Sequence, residues 1–340
     1  MKIIGIDIGG TKCAVSSAQF PSGGQGSARL ALRSESDEAA LQISEVARFA
    51  TSDVRTTLDR IFSEAEALLK TVAQEDAARG PVFGISCGGP LDARRGVILS
   101  PPNLPGWDEI EIVAELKRRF GGEAFLMNDA NACALAEWQW GAGVCSGAAS
   151  RPDNLLFLTM GTGMGAGLIL DGRLIEGASG SAGEVGHLRL SAGGPVGFGK
   201  SGSFEGWCSG GGIAQVARRR VAEFVGESLL QKIPLAEVTA RAVGEAATAG
   251  DVLALAIWAE VGERLGQGLA LLIDVLNPEM IVIGSIYARC ERFIAPSMHA
   301  AIEREALGPS ARACRIVPAA LGEKIGNYGA IATALHGLNR

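Results

Sequence analysis

Nowhere in these 340 residues do five or six lysines and arginines cluster; the longest basic run is Arg218–Arg220, on a segment with helical spacing. With 31 basic and 37 acidic side chains the formal charge is −6. An acidic chain without a basic stripe argues against nucleic acid or an anionic membrane as the main partner. A secretory leader is not expected either, because the opening MKIIGID reaches Asp7 before an apolar core can form. The most apolar long stretch, Val252–Leu276, carries Glu260, Glu263, Arg264 and Asp274, and so reads as a core helix rather than a membrane span. The seven cysteines, at 13, 87, 133, 145, 208, 290 and 314, show no paired spacing. Such a set points to reduced thiols in a cytoplasmic protein. Proline is sparse, at 13, and no G-X-Y period exists, which excludes collagen.

What is present in excess is glycine, 47 residues, of which 18 fall in the 52 positions from Gly161 to Gly212. Average usage is only about 7%. The dense stretch is no flexible linker, since Leu155–Leu158 and Leu168–Leu170 flank and interrupt it with apolar runs. It needs unusual turns or close backbone approach. Length alone suits two lobes better than one core.

Along the chain, Lys2–Asp7 and Ala14–Ser17 read as short strands joined by the turn Ile8-Gly9-Gly10-Thr11-Lys12. Pro21–Ser27 reads as a hairpin tip, and Ser52–Val72 as a helix with Leu58, Ile61, Phe62, Ala65, Leu68 and Leu69 on one stripe. Val82–Ser86 is a buried strand, Ile110–Phe120 an amphipathic helix, and Ala124–Met127 a third strand. About 150 residues after the first hairpin the design repeats: strand Leu155–Thr159, glycine turn Met160–Gly165, strand Ala166–Leu170. The helix Val252–Leu276, the strand Met280–Ile283 and a last helix from Tyr328 to about Leu335 follow. The pattern predicts an α/β fold in two lobes. The expected boundaries are 1–125 for a smaller N-terminal lobe, completed by the C-terminal helix 327–340, and 126–326 for a larger one.

Each glycine turn exposes backbone N–H groups that can bond phosphate oxygens, although one such loop alone is more often a plain hairpin turn. The P-loop pattern fails, because Gly9-Gly10-Thr11-Lys12 lacks the six-residue loop. Gly161, Gly163 and Ala166 half-match the dinucleotide fingerprint, but Leu168–Leu170 reads as a strand where that motif needs a helix. Asp7 ends its strand at the first turn, where a carboxylate can hold magnesium through water or simply accept the turn's N–H groups. Lys12 adds a cation for a transferred phosphoryl group.

Asn128 and Asp129 follow a strand and open the helix Ala132–Trp140. Either suits an N-cap, and a carboxylate there also suits proton abstraction from an alcohol attacking a γ-phosphate. Glu184 and His187 stand three residues apart in the glycine-rich block, with Glu205 further along, and Pro101–Trp107 forms a rigid turn carrying Asn103. Amides, carboxylates and an imidazole are the groups that hydrogen-bond sugar hydroxyls.

In this order the motifs resemble the ROK family of sugar kinases and repressors, over Ile6 to about Ala334. The resemblance rests on Asp7–Lys12, Gly84–Asp92, Pro102–Trp107, Asn128–Asn131, Gly161–Gly167, Glu184–His187, Glu205 and Asn277–Gly284. It implies the two-lobed sugar kinase–actin–Hsp70 type (ribonuclease H-like) fold and ATP-dependent phosphorylation of a hexose. Asp129 is then the general base, and Gly89, Asn103, Asn128, Glu184, His187 and Glu205 are sugar contacts. Asp7, Gly9, Gly10, Thr11 and Lys12 form the first phosphate loop, with magnesium arriving with ATP near Asp7. Thr162 and Gly163 belong to the second loop. Gly284 marks the adenosine region, with Ser285 in place of the usual second glycine. The turn Pro102–Trp107 is most similar to that of family glucokinases, which favours glucose at its 6-hydroxyl. An N-acetylhexosamine, mannose, fructose or a glucoside is an alternative, as is a sugar sensor without turnover. Family repressors carry a helix-turn-helix before the first glycine motif; here that motif starts at Asp7, so a repressor is not expected. Family members are commonly dimers or tetramers, and a homodimer is expected.

One departure stands out. Many members bind zinc through the histidine of E-x-G-H and three cysteines in C-x-C-G-x-x-G-C-x-E. The corresponding residues here are Val196, Phe198 and Ser203. One imidazole cannot hold a four-coordinate zinc. No structural zinc is expected, with the loop held by packing of Phe198 and Phe204.

Overall fold

A computed structural model describes residues 2–19, 42–71, 80–145 and 150–340. The hairpin tip expected at Pro21–Ser27 lies outside them. The chain divides into two units: one runs to Arg151 and takes in Glu323–Arg340 again, and the other is Pro152–Gly322.

The first unit is built on a five-stranded sheet of order β3-β2-β1-β4-β7. It comprises β1 (Ile3–Ile8), β2 (Lys12–Gln19), β3 (Gln42–Ala50), β4 (Val82–Cys87) and β7 (Glu123–Asn128). The first three strands form an antiparallel meander, while β1, β4 and β7 run parallel. Between β4 and β7 lie the short hairpin β5 (Leu91–Asp92) and β6 (Val97–Ile98) and helix α2 (Ile112–Phe120). That helix starts two residues later than its spacing suggests, because Ile110 bridges to Ile98 instead. Strand alternation gives the sheet two apolar faces. Ile4, Ile6 and Ile8 pack with Ile61 and Leu68 of α1 (Val54–Thr71) and Leu116 of α2. Ile3 faces the other way and packs with Ile331 and Leu335 of the last helix, α11 (Ile325–Leu338). This helix lies almost on the backbone: a Cβ on Gly84 would stand 2.0 Å from the carbonyl oxygen of Ala330. It also packs on α3 (Asp129–Trp140), which the short α4 (Ala142–Cys145) follows.

The expected boundary at 125 is corrected by this arrangement. Residues 123–128 are the edge strand of the first sheet, paired with β4, so the first unit continues through α3 and α4 to Arg151.

The second unit repeats the plan, with a sheet of order β10-β9-β8-β13-β14. Here β8 (Leu155–Leu158), β9 (Ala166–Leu170) and β10 (Arg173–Ile175) are the antiparallel meander. Strands β13 (Met280–Ile283) and β14 (Arg315–Pro318) extend it in parallel. A small hairpin, β11 (Val196–Gly197) and β12 (Lys200–Ser201), precedes α5 (Phe204–Cys208), α6 (Gly210–Glu223) and α7 (Ala240–Thr248). The 25-residue helix α8 (Val252–Leu276) begins at the N-cap Asp251, whose side chain accepts the Ala254 N–H. Its stripe of Leu253, Ile257, Val261, Leu265, Leu269 and Ile273 forms the centre of this core. Helix α9 (Ile286–Glu305) packs along it, and α10 (Gly308–Ala313) leads to β14. Among the described residues no helix is long and apolar enough to cross a membrane.

Candidate active site

Because β1, β4 and β7 run parallel in register, their C-terminal ends present Asp7, Ser86 and Met127 in one row and Ile8, Cys87 and Asn128 in the next. Ligands of open α/β sheets bind outside such carboxyl ends. Asn128 caps α3, its side chain accepting the Ala130 N–H at 3.0 Å. Asp129 is the first helical residue, and its Oδ1 accepts the same N–H at 2.8 Å. Its Oδ2 faces Gly88, with 3.8 Å to where a Cβ would stand. Gly89 lies beside the Asn128 amide, 3.6 Å from a would-be Cβ.

Asp7 is partly exposed, yet its pKa is raised to about 6. Burial of the carboxyl is the largest cause, and the negative charge of Asp129 adds to it; Lys12, the Ser86 hydroxyl and Arg48 pull the other way. A bound cation would relieve the unfavourable charge of the Asp7 carboxylate. The thiols of Cys87 and Cys133 are pushed well up by burial first and then by Asp129 and Asp7, so both are inert.

The first glycine turn closes with a bond from the Gly9 N–H to the Lys12 carbonyl. Gly10 sits against Asn103, where a Cβ would come within 2.4 Å of the Asn103 carbonyl oxygen. Only glycine lets the turn meet that loop. Lys12 pairs with Glu323 at 3.4 Å, both exposed, an ion pair of little energetic weight. Asp7 and Lys12 line a small pocket with Arg48, Glu323 and Asn327. Two carboxylates, Asp7 and Glu323, and two cations, Lys12 and Arg48, thus gather at the end of the first glycine turn.

No sequence motif marks Thr51 as part of this site. Its hydroxyl donates to the Gly9 carbonyl at 2.6 Å and its N–H to the Thr11 carbonyl, so the residue following β3 holds the turn from outside. Arg48, Ser86, Glu323 and Asn327 likewise carry no motif; strand pairing and the returning α11 bring them in.

In the second unit, the turn after β8 is closed by the Thr159 N–H to the Gly165 carbonyl and by the Gly165 N–H to the Thr159 hydroxyl. Thr162 is exposed on it. Glu205 does more here than the sequence suggests: its Oε2 accepts the Met164 N–H at 2.9 Å and abuts Gly163. The Gly210 N–H, at the start of α6, bonds the Gly161 carbonyl at 2.7 Å. The Ile286 N–H, at the start of α9, bonds that of Met160. Two helix N-termini thus converge on this turn, a setting that favours anions. Gly284 is buried against Phe157, its N–H on the Leu158 carbonyl. Glu184 is the N-cap and His187 the last residue of a single 3₁₀ turn (Val185–His187), both exposed.

The expectation that Phe198 packs to hold the 193–212 loop is overturned. Phe204 is fully buried, but Phe198 is 66% exposed. The loop is held instead by backbone pairing and polar clamps. Gln215 bonds Val196 through both its amide oxygen and nitrogen, Trp207 Nε1 donates to the Ser191 hydroxyl, and the Gly202 N–H reaches the Pro195 carbonyl. Among the described residues no group of three or more His, Cys, Asp or Glu side chains is placed to hold a metal.

Comparison with known proteins follows the same lines. Residues 22–336 match the ROK family. A glucokinase of Thermotoga maritima is 30% identical over 298 residues, covering 85% of this chain and 83% of that one. A xylose repressor of Caldicellulosiruptor bescii is 31% identical over 222 residues, covering 64% of this chain and 53% of the repressor. Among solved structures, a ROK family glucokinase from Streptomyces griseus in complex with glucose and AMPPNP superposes with a TM-score of 0.74 at 26% identity, over 99% of this chain and 100% of that one. The fold is the two-domain sugar kinase–actin–Hsp70 type.

Proposed function

The chain belongs to the ROK family, and on that premise we propose that it is an ATP-dependent hexose kinase acting on the 6-hydroxyl of glucose. The observation that carries this reading is the pair of carboxylates Asp7, near the end of β1, and Asp129, just beyond β7, on the parallel part of one mixed sheet. In it, Asp129 is the general base. Its Oδ1 accepts the Ala130 N–H and its Oδ2 stands beside Gly88; in this reading the carboxylate takes the hydroxyl proton as the sugar oxygen attacks the γ-phosphorus. Asp7 is the residue that would hold magnesium brought in with ATP; the bound ion neutralises charge on the phosphates. Gly9, Gly10, Thr11 and Lys12 cradle phosphate oxygens in the first unit, and Thr162 and Gly163 do so in the second. Gly284 borders the adenosine.

Gly89, Asn103 and Asn128 in the first unit, and Glu184 and His187 in the second, are the sugar's hydrogen-bonding groups. Glu205 commits one oxygen to Met164, so its part includes holding the second phosphate turn next to the Glu184–His187 segment. A cytoplasmic homodimer completes the reading.

The presence of repressors among the relatives supports a second reading, a sugar-binding protein without turnover. A coupled ADP-release assay over a panel of hexoses, paired with calorimetric sugar binding, decides between them. Turnover with glucose is expected. Binding without turnover of any hexose would overturn the kinase and favour the sensor.

A further inference from the structure

Phe198 breaks two local rules at once. Strands β11 and β12 pair with Gly197 opposite Lys200, leaving Phe198-Gly199 as a two-residue turn. Both turn residues have positive φ, +43° and +73°. Turns of that type favour Asn, Asp or Gly at the first position, and a bulky side chain there is an outlier. Burial of the ring would offset the strain, but the ring is left in solvent. The hairpin does not need it, since Gln215 and Trp207 clamp the surrounding loop. The ring's partner is His187, met edge to face with centroids 5.4 Å apart and planes at 62°. Lys200, at the base of the same hairpin, donates to the His187 carbonyl at 2.5 Å. The turn therefore presents an aromatic face at a fixed place beside the Glu184–His187 segment.

We propose that Phe198 is an aromatic platform of the sugar site, its open face stacking on the C–H face of the hexose whose hydroxyls Glu184 and His187 bind. This rests on the reading of those two residues as sugar contacts. At 5.4 Å the two rings leave no space for a sugar between them, so the sugar lies against the free face of Phe198. A hexopyranose carries hydroxyls around its rim and C–H bonds on its faces, which matches a polar pair flanked by a ring. The flattest such face belongs to sugars with all ring hydroxyls equatorial.

The test uses the full chain with Phe198→Ala, Phe198→Asn and Phe198→Tyr. Covering about 50 Å² of apolar surface at about 25 cal/mol per Å² corresponds to about eightfold in affinity. Calorimetric Kd and steady-state KM for glucose are expected to rise about eightfold in the Ala and Asn variants, with kcat within about twofold of the parent. Tyr is expected to restore binding. Asn suits the positive φ, so Phe198→Asn is expected to melt no lower than the parent while binding glucose worse, a combination that a merely structural role would not give. Unchanged glucose affinity in Ala and Asn would overturn the proposal, as would failure of Tyr to restore it. A changed sedimentation mass would overturn it too, by making the ring an interface residue. If the parent protein binds no hexose at all, the sugar-site reading itself falls. If it binds glucose and the variants match it, only the platform falls.

Discussion

Replacing Asp7 by Asn is expected to make the protein more stable and inactive at once. The Asp7 carboxyl titrates near 3.8 when free and near 6 in the fold. A raised carboxyl pKa means that ionisation opposes folding: the penalty is absent below about pH 4, grows between 4 and 6, and is constant above. At about 1.4 kcal/mol per pH unit the span gives about 3 kcal/mol, an upper figure because part of the residue reaches solvent. Unfolding entropy of roughly 2.1 cal/mol/K per residue over 340 residues makes that about 4 °C in Tm. Scanning calorimetry of both proteins at pH 8 and pH 4 tests it. Asp7→Asn should melt ~2–4 °C higher at pH 8, with the gap closing at pH 4, and should lose turnover with magnesium and ATP. A variant that melts lower at pH 8, or a gap that does not close in acid, would refute the argument that the parent holds an unfavourably buried charge for the sake of its ligand.

Asp129→Asn should keep sugar binding, measured by calorimetry, and lose about 10²–10⁴-fold in kcat; near-normal turnover would remove it from the base role. In the parent enzyme kcat/KM should fall as pH drops through about 6, because protonated Asp7 cannot receive the metal; a flat profile from pH 7 to 5 would contradict this. Gly84→Ala should cost about 3 kcal/mol in denaturant unfolding, since the added methyl meets the Ala330 carbonyl. Elemental analysis of chelator-free protein should give far less than one zinc per chain; stoichiometric zinc would show that the loop around Phe198 recruits ligands from elsewhere.

What the sequence reveals and what it hides divide along the range of the interactions. Strand β9, helix α8 and strand β13 fall where local periodicity puts them, because their apolar patterns are complete within the element. Helix α9 is not announced, as Pro296 sits inside it and its buried residues are spread between charges. The unit boundary is hidden because β7 is assigned by pairing with a strand some 40 residues earlier. Asp7, Asn128 and Asp129 are conspicuous as motifs, yet their adjacency exists only through the parallel pairing of β1, β4 and β7. Thr51, Arg48 and Asn327 carry no local signature at all. Phe198 is legible as a position but not in its role: an aromatic residue in a glycine-rich loop reads as packing until its backbone angle and exposure are known.

The return of α11 to the first sheet has a consequence for the order of synthesis. On the ribosome the strands β1 to β7 emerge first, but the face bearing Ile3, Gly5 and Gly84 lacks its main cover until residues 325–338 have been made. The second unit, contiguous from Pro152 to Gly322, can close on its own while the first still waits. Asp7 lies against that same helix, at Gly326. A nascent chain therefore carries both glycine turns long before its Asp7 pocket is finished, and ribosome-bound chains ending before residue 325 should lack it.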